Sequence, residues 1–240
     1  MAQPVSLRGV RNAFEIAVGS AANLYAAVDP FVARTYDGIA TNPLHPSQAR
    51  RIVALAFLAL VAAWEEFVEA SFVRYLAGGH STLRRRPQLK FGPASRLDDA
   101  YAVIAGRPNF DPVRHHLNWG VEDTINRALI FFGSGDPFQR PLTVRKQALQ
   151  DAAIIRNRVA HSSQKARAAF SVVARRLRGG KLPRAYSVGD LLLERVAPAW
   201  AENYEKETLF VAYLYVFVTA ADEVAGLPSA DRTPPQRDAV

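Results

Sequence analysis

Apolar residues recur along this chain at helical spacing, and no period-two alternation bounded by hairpin residues competes with them. Val53, Phe57, Leu60, Trp64 and Phe67 step by four, three, four and three residues, which puts them on one stripe of a helix. Phe210, Leu214, Phe217, Ala221 and Val224 repeat that spacing. The pattern predicts helical segments over Ser6 to about Val28, Phe31 to Ile39, Ser47 to Leu76, Ser95 to Ala105, Val121 to Phe132, Thr143 to Val159, Gln164 to Leu177 and Ser187 to Ala225. Asp29-Pro30 is expected to close the first, Ser47 to cap the third and Gly78-Gly79 to stop it, while Pro198 starts or kinks the last.

Two apolar stretches, Ile52 to Trp64 and Leu209 to Ala221, are 13 residues each and bounded by charge. A bilayer requires roughly 20, so both read as buried helices. Between the long helical halves lies an irregular stretch, about 78–141, rich in Gly and Pro and too short to hold a core of its own. The expectation is an all-α, antiparallel helical bundle forming a single domain over 1–226, with that stretch as an insertion and 227–240 as a disordered tail.

Charge narrows the partners. Thirty Lys and Arg against 22 Asp and Glu leave a net +8 over 240 residues, and 25 of the thirty are Arg. That favours anionic partners such as RNA, DNA or a phospholipid surface, although a GC-rich genome produces the same Arg bias. The absence of cysteine excludes a disulfide scaffold, a zinc ribbon, an iron–sulfur cluster and every thiol nucleophile. The start, MAQPVSLRGVRNAFE, lacks the apolar core of an export signal, so a cytoplasmic location is expected.

The usual enzymatic signatures are missing: there is no Gly-rich phosphate loop, no His-Glu-x-x-His and no Gly-x-Ser-x-Gly. His115 and His116 are adjacent, about 100° apart on a helix, which suits a shared metal poorly. Glu65, Glu66 and Glu69 follow Trp64, and such clusters form a solvated face unless a basic partner on another helix draws one inward.

The segment that stands apart is DAAIIRNRVAHSS, Asp151 to Ser163. Leu149, Ala153, Arg156 and Ala160 share a stripe, so Arg156 occupies an otherwise apolar, small face. Asn157 and His161, at i and i+4, point the same way beside it. For RNA cleavage that group is sufficient in outline. An imidazole, with an ordinary pKa near 6.5, takes the proton of a ribose 2′-hydroxyl or gives one to the leaving 5′-oxygen. A guanidinium holds the phosphate as charge develops on it, and Asn157 orients either partner. The nucleophile lies within the substrate, so neither metal nor cofactor is implied, and the product carries a 2′,3′-cyclic phosphate. An Arg-x4-His pair is expected about 0.5 times by chance from 25 Arg and five His. Its surroundings therefore carry the signal, and Arg74-x5-His80 is a decoy that spans the Gly78-Gly79 stop.

Ile155-Arg-Asn-Arg-Val-Ala-His161 resembles the Arg-x4–6-His motif of HEPN domains, and Ala63-Trp64-Glu65-Glu66-Phe67 is similar to the early Trp-Glu helix of the branch called RiboL-PSP or MAE-type. The two helices that carry these residues together cover about a fifth of the chain. The resemblance implies a homodimer in which the motif helices of both copies face across a cleft, with Arg156, Asn157 and His161 as the catalytic set. It also implies a role as a toxin or antiphage-defence effector, with a nucleotidyltransferase-type antitoxin as a possible partner. Ser162 stands where a glycine is usual. Arg84, Arg85 and Arg86, with Tyr75 and Phe91 near them, and Arg158 are the candidates for RNA contact. The alternative is a non-catalytic RNA-binding or protein-interaction module, with Arg156 in a buried ion pair to Glu65 or Glu66 and His161 as a helix C-terminal cap.

Overall fold

The computed structural model describes residues 6–36, 44–195, 198–200 and 207–228. It is all-α, with no strand among the described residues and only isolated bridges, Ser6 to His80 and Leu89 to Phe132. The order is α1 (Arg8–Tyr36), α2 (Pro46–Leu76), α3 (Leu97–Ala105), α4 (Val121–Phe131), α5 (Gln139–Val144), α6 (Lys146–Ala160), α7 (Gln164–Arg178), α8 (Val188–Leu193) and α9 (Leu209–Val224). No helix among the described residues is long and apolar enough to cross a membrane.

The expected stripe builds the centre. Val53, Phe57, Leu60, Trp64 and Phe67 of α2 are all buried, and α2 touches α1, α3, α6, α8 and α9. Trp64 meets Phe14 of α1 at 6.3 Å and Phe217 of α9 at 5.5 Å between ring centres. Arg11 and Asp222 tie α1 to α9 through a pair at 2.6 Å, each side chain 4% exposed. The 78–141 stretch extends this core rather than making one: Phe72 of α2 gathers Trp119, Phe132 and Phe138 at 5.5, 5.2 and 4.9 Å.

Several boundaries differ from the sequence reading. The first helix does not end at Asp29-Pro30 but continues to Tyr36. Its upstream face, Phe14, Val18, Ala21, Tyr25 and Val28, is buried, and such packing outweighs the loss of one backbone hydrogen bond at proline, about 3 kcal/mol. The second predicted segment, Phe31 to Ile39, is therefore the end of α1, and its residues 37–39 lie outside the described residues. The cap of α2 is His45, not Ser47, because Pro46 already holds the φ of a first helical residue. His45 Nδ1 accepts from the Ser47 N–H at 3.2 Å, and Gln48 Oε1 accepts from the His45 N–H at 3.1 Å. The stop after Leu76 is as expected, with Gly78 at φ 78°.

The short α5 was not anticipated; Asp136 Oδ1 starts it by accepting from the N–H groups of Phe138 and Gln139 at 2.8 and 3.2 Å. Ser187 to Ala225 is not one helix. The chain turns extended at Glu194, and the Leu209 N–H returns to the Glu194 carbonyl at 2.9 Å, so α8 and α9 are separate. Of the predicted tail, Leu227 is held by its N–H to the Asp222 carbonyl at 2.8 Å, and 229–240 lie outside the described residues.

Helix α8 lies close on α2. A Cβ at Gly189 would fall inside van der Waals contact of the Arg50 carbonyl oxygen, a backbone atom that cannot swing aside. Gly189→Ala should therefore push α8 off α2 and destabilise the protein by about 1–3 kcal/mol, read as a lower urea midpoint at unchanged slope. An unchanged midpoint would refute this contact.

Candidate functional site

Helix α6 buries Ala148, Leu149, Ala152 and Ile155, and the two alanines let it lie close against its neighbours. Arg156 sits at the edge of that face. Its Nη2 donates to Glu65 Oε2 of α2 at 2.5 Å, and its Nη1 donates to Asn157 Oδ1 at 3.0 Å. Arg156 Nε is buried without a partner. The pair is about a third exposed, 29% for Arg156 and 34% for Glu65.

Of the expected acidic partners, the structure selects Glu65; Glu66 is exposed. Glu69, one turn further along α2, accepts from the Tyr101 hydroxyl at 2.8 Å. Trp64 and Glu65 thus divide their tasks around the helix, the indole to α1 and α9 and the carboxylate to α6.

Asn157 is exposed. With Oδ1 taken by the guanidinium, its Nδ2 donors have no partner among the described residues. His161 is the C-cap of α6, not a residue of its last turn. Its N–H still closes the bond to the Asn157 carbonyl at 2.9 Å, which keeps its Cα one turn beyond Asn157, while φ −130° and ψ 131° lead the chain out of the helix. The side chain is exposed and makes no hydrogen bond among the described residues. Arg158 Nη1 donates to the His161 carbonyl at 3.1 Å and so fixes the backbone that carries the imidazole.

The structure does not bring Arg84, Arg85 and Arg86 to this group. Arg85 and Arg86 line a cavity of about 1070 Å³ with Arg140 and Glu223, and Glu223 pairs with Arg145 at the opposite end of α6 at 2.6 Å. The length of α6 intervenes, about 22 Å at 1.5 Å per residue. Tyr75 cannot stack on a base: it is 1% exposed and its hydroxyl donates to the Val224 carbonyl at 2.7 Å. Phe91 is exposed. His115 turns back on its own loop, its ring 5.4 Å from that of Phe110, and His116 is exposed beside it. His80, of the decoy pair, lies beyond the end of α2 with its Nδ1 2.8 Å from the Ser81 carbonyl.

A second polar contact steadies α6 from the other side. Asp151 is 1% exposed and pairs with Arg176 of α7; Gln147 also donates to it at 3.0 Å. Burial pushes the Asp151 carboxyl up, and Arg176, itself 46% exposed, only partly offsets this. Sequence periodicity gave no sign of Asp151, because its charged partner, Arg176, comes from another helix.

No family model, curated protein or solved structure matches this chain.

Glu65→Ala leaves the half-buried Arg156 guanidinium without its carboxylate, and it should cost about 1–3 kcal/mol of unfolding free energy in urea melts, between the values for exposed and fully buried pairs; no measurable loss would make the pair energetically idle. For Asp151 the folded chain holds the proton more tightly than the unfolded chain, whose carboxyl titrates near the ordinary 3.8. Its contribution should thus be largest below that value and decline as pH rises through the elevated one. Urea midpoints of wild type relative to Asp151→Asn should fall with rising pH across that window, and a rising difference would reverse the assignment.

Proposed function

We propose that this chain is a metal-independent endoribonuclease of HEPN type, acting as a homodimer and cleaving RNA to 2′,3′-cyclic phosphate ends. The observation that supports this is the grouping at the end of α6: Asn157 and His161 are both exposed and one helical turn apart, and Arg156 is bonded to Asn157 and anchored by Glu65. In the reaction the His161 imidazole takes the 2′-hydroxyl proton, the 2′-oxygen bonds to phosphorus, and the bond to the 5′-oxygen breaks. That oxygen leaves with a proton from an imidazolium, which in a dimer is supplied by the second copy's histidine. Asn157 donates to a non-bridging oxygen. Arg156 spends one hydrogen of each Nη on the protein, so the second of each remains for the phosphate. A toxin or antiphage role, cytoplasmic location and restraint by a nucleotidyltransferase-type partner belong to the same proposal, on the strength of the motif resemblance.

One observation favours the second reading, a non-catalytic RNA-binding or interaction module. The charge of Arg156 is countered by Glu65 within the protomer, as in an ordinary interhelical ion pair.

Cleavage of total RNA and tRNA by purified protein in EDTA separates the two. His161→Ala should lower the rate by about 10²–10⁴ and Arg156→Ala by about 10²–10³, with cyclic phosphate on the wild-type products. Equal, background-level activity in wild type and both variants would leave the non-catalytic module.

A further inference from the structure

A groove of about 820 Å³ opens where the first turns of α2, the end of α6, α7 and the start of α8 meet. Arg50 and Arg51 of α2, Arg158 of α6 and Arg167 of α7 all line it, against a single acid, Asp190. That acid is already spent: Arg50 Nε pairs with it at 2.7 Å, and the Ser187 N–H and hydroxyl donate to it at 2.9 and 2.6 Å to cap α8. Arg51 and Arg167 are exposed and have no acidic partner among the described residues. The floor is stiff, because Gly189 brings α8 onto the α2 backbone.

We infer that this groove is a track for the phosphate backbone of a single-stranded RNA, leading its scissile phosphate to His161. The inference rests on the ribonuclease reading for the direction of the strand, and on the groove alone for the chemistry of the ligand. Continuity is the first reason. Arg158 lines the groove and donates to the His161 carbonyl at 3.1 Å, so the groove and the His161 backbone lie one side chain apart. Charge is the second. An excess of three cations in a concave space holds a chain of phosphates with release of their counterions. Shape is the third. A bilayer surface is flat and cannot reach a floor between four helices, whereas a flexible strand can. The half-buried Tyr186, whose ring carries the Arg178 guanidinium at 5.7 Å, adds an aromatic wall. The basic loop at Arg84 to Arg86 stands at the far end of α6 and has no part in this track.

Fluorescence anisotropy with a labelled 2′-O-methyl RNA 12-mer, which cannot be cleaved, tests the assignment on the full chain. R51E/R167E should weaken binding at least about tenfold near 0.1 M salt, and the slope of log affinity on log salt should shrink by about 1.4, the value for two phosphates on a single strand. R84E/R85E/R86E should bind as wild type does. Both substituted arginines are exposed and without an acidic partner, so the thermal midpoint of R51E/R167E should match wild type and exclude misfolding. Equal binding by R51E/R167E and wild type would overturn the groove, as would failure of wild type to bind the 12-mer, or binding to anionic phosphatidylserine vesicles that depends on Arg51 and Arg167 in place of RNA. Cleavage in EDTA decides the ribonuclease reading separately: an active enzyme with unaltered R51E/R167E binding loses only the track, and an inert protein whose binding collapses in R51E/R167E keeps the track and loses the catalysis.

Discussion

Everything at the candidate site depends on the contact between Glu65 and Arg156 across α2 and α6. Helix α2 packs against α1, α3, α6, α8 and α9, and the Glu65 carboxylate faces α6 while that of Glu66 is exposed. A half-buried carboxylate facing a half-buried guanidinium is stable only while both are present. The pair, together with the buried Ala148, Leu149, Ala152 and Ile155, fixes the rotation of α6 about its axis. Asn157 follows from that rotation, since its side-chain carbonyl accepts from Arg156 and its amide hydrogens are left without a partner among the described residues. His161 follows from it too, one turn on, at the point where the helix ends.

The same register distributes charge over the molecule. Asp151, one turn and a residue before Arg156, takes Arg176 and holds α7 against α6. With α7 so placed, Arg167 near its start faces the arginines of α2, and the groove beside His161 becomes basic. The other end of α6 is tied by Arg145 to Glu223 and carries the second basic cluster, Arg85, Arg86 and Arg140. Two cationic regions thus lie at opposite ends of one helix, and only one adjoins the imidazole.

Much of the bundle was legible because its helices bury one stripe each, and a stripe leaves its spacing in the sequence. Trp64 and Glu65 could be read as core and as a residue waiting for a cation, although the choice of Glu65 over Glu66 needed the position of α6. What stayed hidden was non-local. Proline at position 30 is a stop signal locally, but α1 is held by its upstream contacts with the core and runs on. The break between α8 and α9 depends on a return of the chain to Glu194. Tyr75 near a run of arginines suggested stacking, yet its stripe turns it into the core. Arg50, Arg51, Arg158 and Arg167 come from three helices and share no spacing, so no reading of the chain alone could collect them.

The central claim is that Glu65 sets Arg156, and through it Asn157 and His161, as one working unit. Its most direct test is a double-mutant cycle on single-turnover RNA cleavage in EDTA, comparing wild type, Glu65→Gln, Arg156→Gln and the double variant. The account predicts that each single variant slows cleavage and that the double variant is no slower than Arg156→Gln alone. Full activity in Glu65→Gln, or losses that simply multiply in the double variant, would contradict it.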